Sequence, residues 1–238
     1  MNRPEGIAAN LGNIGNVYST LGELDSSLVY HRQSLEINRE LKSPEGIAAN
    51  LGNIGTVYST LGELDSSLVY HRQSLEIERK LNRPIGIAAD LGNIGNVYQT
   101  QGKLDSSLVY HRRSLAIERQ LNHPEGMGIS HFSIGLLYAG KGEHDMAIAH
   151  LDSALVLFTG MGSPHARNAQ FALLQLKDPF FQGHVYFSNQ RYTEALAAYR
   201  EALQAYPDSL QGYQFIASVF GQLSQPDSVA ATYRQALA

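Results

Sequence analysis

Apolar side chains in the first forty residues recur every three or four positions, in two successive runs. The first run consists of Ile7, Leu11, Ile14, Val17, Tyr18 and Leu21, and the second consists of Leu28, Leu35, Ile37 and Leu41. Such spacing places apolar residues along one side of an α-helix, so the pattern predicts two helices, called A and B here. Gly22 is expected to end helix A, and Asp25 is expected to cap helix B.

This two-helix pattern returns with a period of forty residues. The segment LGNIGNVY at 11–18 recurs at 51–58 and 91–98, and a weaker form lies at 132–138. Residues 4–43 and 44–83 differ at only five positions. A fixed period of 20 to 50 residues is typical of solenoids. The sequence therefore predicts four stacked helical hairpins over residues 4–163.

Proline marks the start of each block, at positions 4, 44, 84, 124 and 164. Proline is favoured at the first position of a helix, where its missing amide hydrogen costs nothing. Ser43 and Ser163 directly precede two of these prolines and are expected to be N-caps. A single helix from Pro164 to about Lys177 is expected to close the array, so we predict a first domain at 1–177.

A second, shorter period begins at Asp178. A pattern of glycine, tyrosine and alanine recurs after about 34 residues, which predicts a second domain at 178–238 with two more hairpins. The chain stops directly after the last predicted helix. We expect an apolar face there that a missing segment or a second copy of the chain would cover, which makes a homo-oligomer an open possibility.

Composition excludes several classes of partner. The formal net charge of −4 argues against binding to nucleic acid or to an anionic membrane. The chain has no cysteine, so disulfides, thiolate metal sites and cysteine nucleophiles are excluded. No hydrophobic run approaches the roughly 18 residues of a membrane span, so membrane insertion is not expected and a cytoplasmic location is the default prediction.

The repeats resemble a known family. The spacing of Gly183, Tyr186, Ala195, Tyr199, Ala202 and Pro207 is similar to that of the 34-residue tetratricopeptide repeat. The blocks from 4 to 163 resemble the forty-residue variety of Pins/LGN-type and kinesin-light-chain-type scaffolds, through Leu11, Gly15, Asn16, Tyr18 and Gly22. The resemblance implies an all-α, right-handed solenoid that binds a protein partner, with neither catalytic activity nor a cofactor.

In this family an extended or helical segment of the partner docks in a concave groove lined by helix A. Position by position, the resemblance assigns the groove to Gly12, Asn13, Asn16, Gly52, Asn53, Thr56, Gly92, Asn93, Asn96, Phe132 and Leu136. An asparagine ladder at 13, 53 and 93 could bond the backbone of a bound peptide. The alternative, equally open, is that these asparagines cap or bridge neighbouring repeats through side-chain hydrogen bonds. Glycine at the position of the family's first clamp lysine argues against a chaperone's carboxylate tail as the ligand.

Several recurrent residues of the blocks are assigned to packing. Gly15, Gly55 and Gly95 are expected where helices A and B touch, whereas Gly12, Gly52 and Gly92 leave the groove floor open. His31, His71 and His111 are one repeat apart, and helix axes 8 to 10 Å apart do not bring their rings to the roughly 2 Å of zinc ligands. The serines of helix B, such as Ser27 and Ser34, are expected to bond back to their own preceding turn.

No nucleophile motif, metal signature or isolated acid pair stands out, so the sequence does not predict an enzyme. The Gly-X-X-Gly of LGNIG lacks the lysine of a phosphate-binding loop. Besides a binding module, two other hypotheses for the function of the chain remain open. The chain could be a structural module that assembles end to end, or the sensor segment of a larger signalling protein.

Overall fold

The computed structural model describes residues 3–236, which contain thirteen α-helices and no β-strand. The four forty-residue blocks form eight helices of equal length. These are α1 (Pro4–Thr20), α2 (Leu24–Glu40), α3 (Pro44–Thr60), α4 (Leu64–Lys80), α5 (Pro84–Thr100), α6 (Leu104–Gln120), α7 (Pro124–Gly140) and α8 (His144–Gly160). Each packs on the next along the chain, and α3 also contacts α1 and α5. The predicted all-α solenoid of helical hairpins is confirmed.

The chain divides into two compact units between residues 170 and 171. This division lies inside α9 (His165–Lys177), the helix predicted to follow the fourth block. The domain boundary expected from the change of period, at 177/178, coincides with the end of that helix and stays a prediction.

Most of the predicted helix ends are found where the sequence places them. Prolines 4, 44, 84 and 124 each occupy the first helical position, and Pro164 directly precedes α9. Ser43 Oγ accepts a hydrogen bond from the Gly46 amide at 3.3 Å, as expected of an N-cap. Gly22 follows α1 with φ of +78°, a backbone conformation that favours glycine.

The capping role predicted for Asp25 is wrong. Helix α2 already begins at Leu24, and Glu23 stands at its N-cap without a side-chain hydrogen bond. The tight turn at Gly22 lets the helix start two residues earlier than a capping Asp25 would require. The Asp25 carboxylate therefore lies in the first turn, where its charge still favours the positive end of the helix dipole.

Two hydrophobic clusters in the core of the first unit lie between neighbouring repeats. Leu28 and Leu35 of α2 pack with Leu51, Ile54 and Val57 of α3. An equivalent cluster joins α4 to α5. Because each helix B needs the next helix A to cover it, the repeats stabilise one another as neighbours.

Helix α1 has no preceding helix B among the described residues, and its apolar side chains are exposed as a result. Val17 is 59% exposed, whereas Val57, its equivalent in α3, is 1% exposed. Ile14 shows the same contrast with the fully buried Ile54. One face of α1 therefore has the sequence of a packed surface but remains uncovered.

The second unit contains α10 (Phe181–Ser188), α11 (Tyr192–Ala205), α12 (Leu210–Gln222) and α13 (Pro226–Ala236). Its core is centred on Tyr199, which packs with Phe180 and Ile216. Gly183 is required here, since a Cβ at that position would lie 2.1 Å from the Tyr199 ring. Tyr233 stands 34 residues after Tyr199 but is 45% exposed, so the last helix also presents an uncovered aromatic side chain.

Candidate binding face of the first unit

The A helices form two depressions that contain most of the predicted groove residues. The first, of about 410 Å³, lies between α1 and α3 and is lined by Gly12, Asn13, Asn16 and Asn53 together with small side chains. The second, of about 290 Å³, lies between α5 and α7 and is lined by Gly92, Asn93, Asn96 and Ile129. Residues predicted from three separate repeats are thus brought onto one face.

The remaining predicted groove residues lie outside these two depressions. Gly52 is half-buried, and Thr56 is exposed with its hydroxyl bonded to the Gly52 carbonyl at 3.1 Å. Leu136 is half-buried. Phe132, predicted to line the groove, packs instead against the buried cluster of Ala154, Phe158 and Ala169. Its ring is therefore engaged with neighbouring helices of the first unit.

The asparagine ladder is not engaged in bridging repeats. The side-chain amides of Asn13, Asn53 and Asn93 form no hydrogen bond with other described residues. The asparagine that bridges two repeats is a different one. Asn50 of α3 donates to Ser34 Oγ of α2 at 3.0 Å, and within its own helix it donates to the Gly46 carbonyl at 2.8 Å. Asn38 donates to the Ser34 carbonyl of its own helix at 2.9 Å. The ladder amides are available to a ligand.

Sequence reasoning missed this buried polar layer between repeats, and its composition changes along the array. We call the contact of α2 with α3 the first junction and the contact of α4 with α5 the second. At the first junction the layer contains Asn38 and Asn50. At the second, Glu78 and Asp90 occupy the equivalent positions. Position 38/78 is one of the five at which the first two blocks differ, and this difference could have indicated the change in the buried layer. One carboxylate oxygen of each acid is buried without a hydrogen-bond partner among the described residues.

The two acids interact unfavourably with each other. Burial raises the pKa of Glu78, the charge of Asp90 raises it further, and Arg83 opposes both effects. Arg83 Nη1 lies 3.5 Å from Glu78 Oε1. His71 Nδ1 lies 3.6 Å from Asp90 Oδ1, which is beyond hydrogen-bond distance.

The glycine and histidine assignments agree with the packing. A Cβ at Gly15 would lie 2.8 Å from His31 Nε2, and Gly55 and Gly95 are equally close to His71 and His111. All three histidines are buried, and burial lowers the pKa of His111 to about 4. Within residues 3–236 no group of three histidine or acidic side chains could hold a metal ion. These histidines fill space between helices.

The hydrogen-bond partner predicted for the helix B serines is wrong. Ser27 Oγ donates to the Gly15 carbonyl at 2.8 Å, and Ser34 Oγ donates to the Ala8 carbonyl at 2.8 Å. Both acceptors belong to helix A, not to the preceding turn of helix B. The close approach allowed by glycine and alanine brings helix A carbonyls within reach, so these serines join the two helices of a hairpin.

One chain of polar side chains in the second unit resembles part of a catalytic arrangement. His184 Nδ1 lies 2.9 Å from the Tyr199 hydroxyl, and His184 Nε2 lies 3.5 Å from Asp178 Oδ2. Burial and the Asp178 charge raise the pKa of Tyr199 to about 12. A buried hydroxyl that retains its proton is a poor nucleophile, and we assign this chain a packing role.

Among the described helices, none is both long and apolar enough to cross a membrane.

Comparison with known proteins supports the resemblance seen in the repeats. A family model described as tetratricopeptide repeat matches residues 6–80 and 87–159, and a second model with the same description matches residues 180–209. No curated protein sequence matches the chain.

Solved structures share the fold at low sequence identity. BtubC (BKLC) from P. vanneervenii is 22% identical, with a TM-score of 0.60 over 68% of this chain and 67% of its own. A Rap protein complexed with competence and sporulation factor is 18% identical, with a TM-score of 0.66 over 100% of this chain and 64% of its own. This chain thus spans less than two thirds of that Rap protein.

A third structure consists of repeats like those described here. It is a putative kinesin light chain from Podospora anserina with nearly identical TPR-like repeats, 16% identical to this chain. Its TM-score is 0.59, and the match covers 86% of this chain and 96% of the other. The family models match well over half of the residues, and the helical hairpins have the expected period. The chain therefore belongs to the tetratricopeptide repeat family.

Proposed function

We propose that the first unit binds an extended or helical segment of a protein partner on the face formed by its A helices. Tetratricopeptide repeats commonly mediate protein–protein interaction, and scaffolds of this family are generally non-enzymatic. The finer assignment to this face is supported by one observation. The amides of Asn13, Asn53 and Asn93 lie one repeat apart and form no hydrogen bond with other described residues.

The chemistry of this face suits the backbone of a peptide. Each asparagine amide provides two donor hydrogens and an acceptor oxygen, which match the peptide N–H and C=O groups. The neighbouring glycines leave room for close approach, and Ile129 adds an apolar surface at the second depression. We expect the ladder to set the register of the bound segment, while apolar contacts supply much of the affinity. A cytoplasmic location for this interaction stays a prediction.

The experiment uses a peptide selected by the protein itself. A random-peptide phage library is panned on the full chain, and the affinity of an enriched peptide is measured by fluorescence anisotropy. The variant N53A/N93A should bind about tenfold more weakly, because two hydrogen bonds to the peptide are lost. Its helical circular dichroism should match that of the wild type.

The matched control is Q33A/Q73A, which removes two exposed amides from helix B of the first two repeats. This control should leave the affinity unchanged. Equal binding of the peptide by the ladder variant and the wild type would exclude the A-helix face as the site.

As a second function we propose end-to-end association of copies of this chain, favoured by the uncovered faces of α1 and α13. Val17 and Tyr233 are exposed, while their equivalents Val57 and Tyr199 are buried by a neighbouring repeat. Light scattering of the wild type should show a mass that increases with concentration. The variant V17E/Y233E should remain monomeric, because charges would then lie on both faces. A concentration-independent monomer mass for the wild type would rule out this second function.

A further inference from the structure

The junction between the third and fourth repeats differs from the two preceding junctions at several positions, and three of these belong to or flank one cluster of side chains. At two of them an apolar or aromatic residue is replaced by histidine, and at the third an acid is replaced by alanine. The replacements are Leu51 and Leu91 by His131, Tyr70 and Tyr110 by His150, and Glu36 and Glu76 by Ala116. At these positions the first two junctions have the same residues as each other and differ from the third, so they act as internal controls for it.

The two histidines contact each other, Arg119 contacts His131, and Arg112 lies near enough for its charge to act on His150. His131 Nδ1 lies 3.1 Å from His150 Nδ1, and Arg119 Nη2 lies 3.3 Å from His131 Nε2. Arg112 donates to the hydroxyl of Tyr138, whose ring centre lies 5.6 Å from that of His150. We call Arg112, Arg119, His131 and His150 the junction cluster.

The contacts determine where the protons lie. Arg119 can only donate, so His131 Nε2 accepts and His131 Nδ1 carries the hydrogen. His131 then donates to His150 Nδ1, which leaves the remaining hydrogen of neutral His150 on Nε2. His150 Nε2 forms no hydrogen bond with the other described residues. The half-buried His150 is therefore a donor held ready for a ligand.

The charge of the cluster is not balanced by acidic residues. Burial lowers the pKa of His131 to about 4, and the charges that act on it in the same direction are those of His150 and Arg119. Burial also lowers the pKa of His150, together with the charges of Arg112 and Arg119. Among the described residues neither arginine forms an ion pair with a carboxylate.

The first junction contains an ion pair that is absent among the described residues of the third junction. There Arg39 forms an ion pair with Glu36 at 3.5 Å, and its third-repeat equivalent Arg119 has Ala116 at the corresponding position. Arg32 and Arg72 bond to Tyr58 and Tyr98 just as Arg112 bonds to Tyr138. The arginines are thus shared by all three junctions, while the histidines and the missing acid are specific to the third.

We propose that the junction cluster binds a phosphate group. Two guanidinium groups offer the planar donor forks that bind phosphate oxygens, and both arginines are exposed. Their two permanent charges match the charge of a phosphate near neutral pH. His150 adds a directed N–H, and His131 is a positioning residue that holds His150 in the required tautomer. The site lies between α6, α7 and α8 and shares no residue with the proposed peptide-binding face.

The test titrates inorganic phosphate into the full chain at constant ionic strength and follows the histidine side chains by ¹H–¹⁵N NMR. Saturable shifts of the His150 and His131 resonances, with an increase in the pKa of His150, are expected. Phosphoserine amide is titrated in a parallel experiment, since free phosphate and a phosphorylated side chain offer the same phosphate group. Tighter binding of one of the two probes identifies which kind of ligand the cluster prefers. Sodium acetate should cause no saturable shift. Binding of acetate as tight as that of phosphate would overturn the proposal.

The variant H131L/H150Y restores the residues of the first two junctions and is therefore expected to fold normally. Phosphate should raise the urea midpoint of the wild type, and this increase should disappear in the variant. A116E restores an acid three residues before Arg119 and should weaken phosphate binding about tenfold, since the new carboxylate competes for the arginine. Q33A/Q73A, at exposed positions of the first two repeats, should bind phosphate like the wild type. An equal effect of phosphate on the wild type and on H131L/H150Y would overturn the proposal.

Discussion

At the scale of single residues, two glycines of each helix A differ in what surrounds them. A Cβ at Gly55 would lie 2.9 Å from the buried His71 ring, closer than any real side chain approaches. A Cβ at Gly52 would lie 3.6 Å from Ser74 Oγ, which is an ordinary contact. Close packing of helices therefore explains Gly55, but it does not explain Gly52. The proposed peptide-binding face accounts for a glycine that packing does not need.

This difference predicts opposite effects of the same substitution. G52A should raise the free energy of unfolding by about 0.5–1 kcal/mol, because alanine loses less backbone entropy in a helix. G55A should lower it by about 1–3 kcal/mol, because His71 has to shift within a filled core. Urea denaturation of both variants measures the two changes. If G55A is as stable as the wild type, the assignment of this glycine to helix contact is wrong.

At the scale of elements, the junctions between repeats are nearly equivalent in shape but differ in their buried polar groups. Asn50 satisfies its amide by donating to Ser34 Oγ and to the Gly46 carbonyl. Asp90 occupies the same position at the second junction but is a carboxylate with no hydrogen to donate. Ser74 there already donates to the Ala48 carbonyl, so it has no hydrogen left for Asp90. We therefore expect the second junction to be the less stable of the two.

Replacing the acid by the residue of the first junction should therefore stabilise the protein. D90N should raise the free energy of unfolding at pH 7 by about 1–3 kcal/mol, the cost of a buried group left without a partner. The substitution also removes one of the charges that raise the pKa of Glu78. The reverse change at the first junction, N50D, is the matched control and should destabilise by a similar amount. Both are measured by urea denaturation, and a destabilised D90N would contradict this account.

The pKa of Glu78 gives the same junction a defined pH dependence. The folded protein retains the Glu78 proton at pH values where the unfolded chain has lost it, since the folded pKa is raised. As pH rises from about 4.5 through the raised pKa of Glu78, the loss of this proton therefore lowers the free energy of unfolding.

The sequence predicted the elements well and the contacts between them less well. Three-and-four spacing, the recurring prolines and Gly22 determine helix positions locally, so the helices were found. Partners across a junction depend on how two helices meet, which periodicity does not encode. The bonds of Asn50 to Ser34 and of Ser34 to Ala8 were therefore missed. Phe132 belonged to the predicted groove, but its contact with the cluster at Phe158 depends on the helix that follows the array.

At the scale of the whole first unit, stability depends on a series of similar junctions, and a buried histidine recurs in three consecutive repeats. His31, His71 and His111 occupy one position, and the fourth repeat has Leu151 there, packed against Gly135. Burial lowers the pKa of His31 and of His111, in the latter to about 4. In a solenoid the loss of one repeat weakens its neighbours, so protonation at one position affects the array.

The sign of this effect follows from the two states of His111. As pH falls below 6.5 the unfolded chain gains a proton on this ring, while the folded protein does not until about pH 4. Unfolding therefore becomes easier as pH falls, by about 1.5 kcal/mol between pH 6.5 and 5 for this histidine. The variant H111L copies the residue of the fourth repeat and cannot take up a proton.

Urea denaturation of the wild type and H111L at several pH values from 7.5 to 5 tests this prediction. Contributions from Glu78 and the other histidines are common to both proteins, so they cancel in the difference between their free energies of unfolding. The free energy of unfolding of H111L minus that of the wild type should be constant above pH 7 and should increase as pH falls. A difference independent of pH would mean that the folded protein accepts the proton as readily as the unfolded chain. His111 would then have to reach water through an opening of the junction, and the tight contact with Gly95 would not persist in solution.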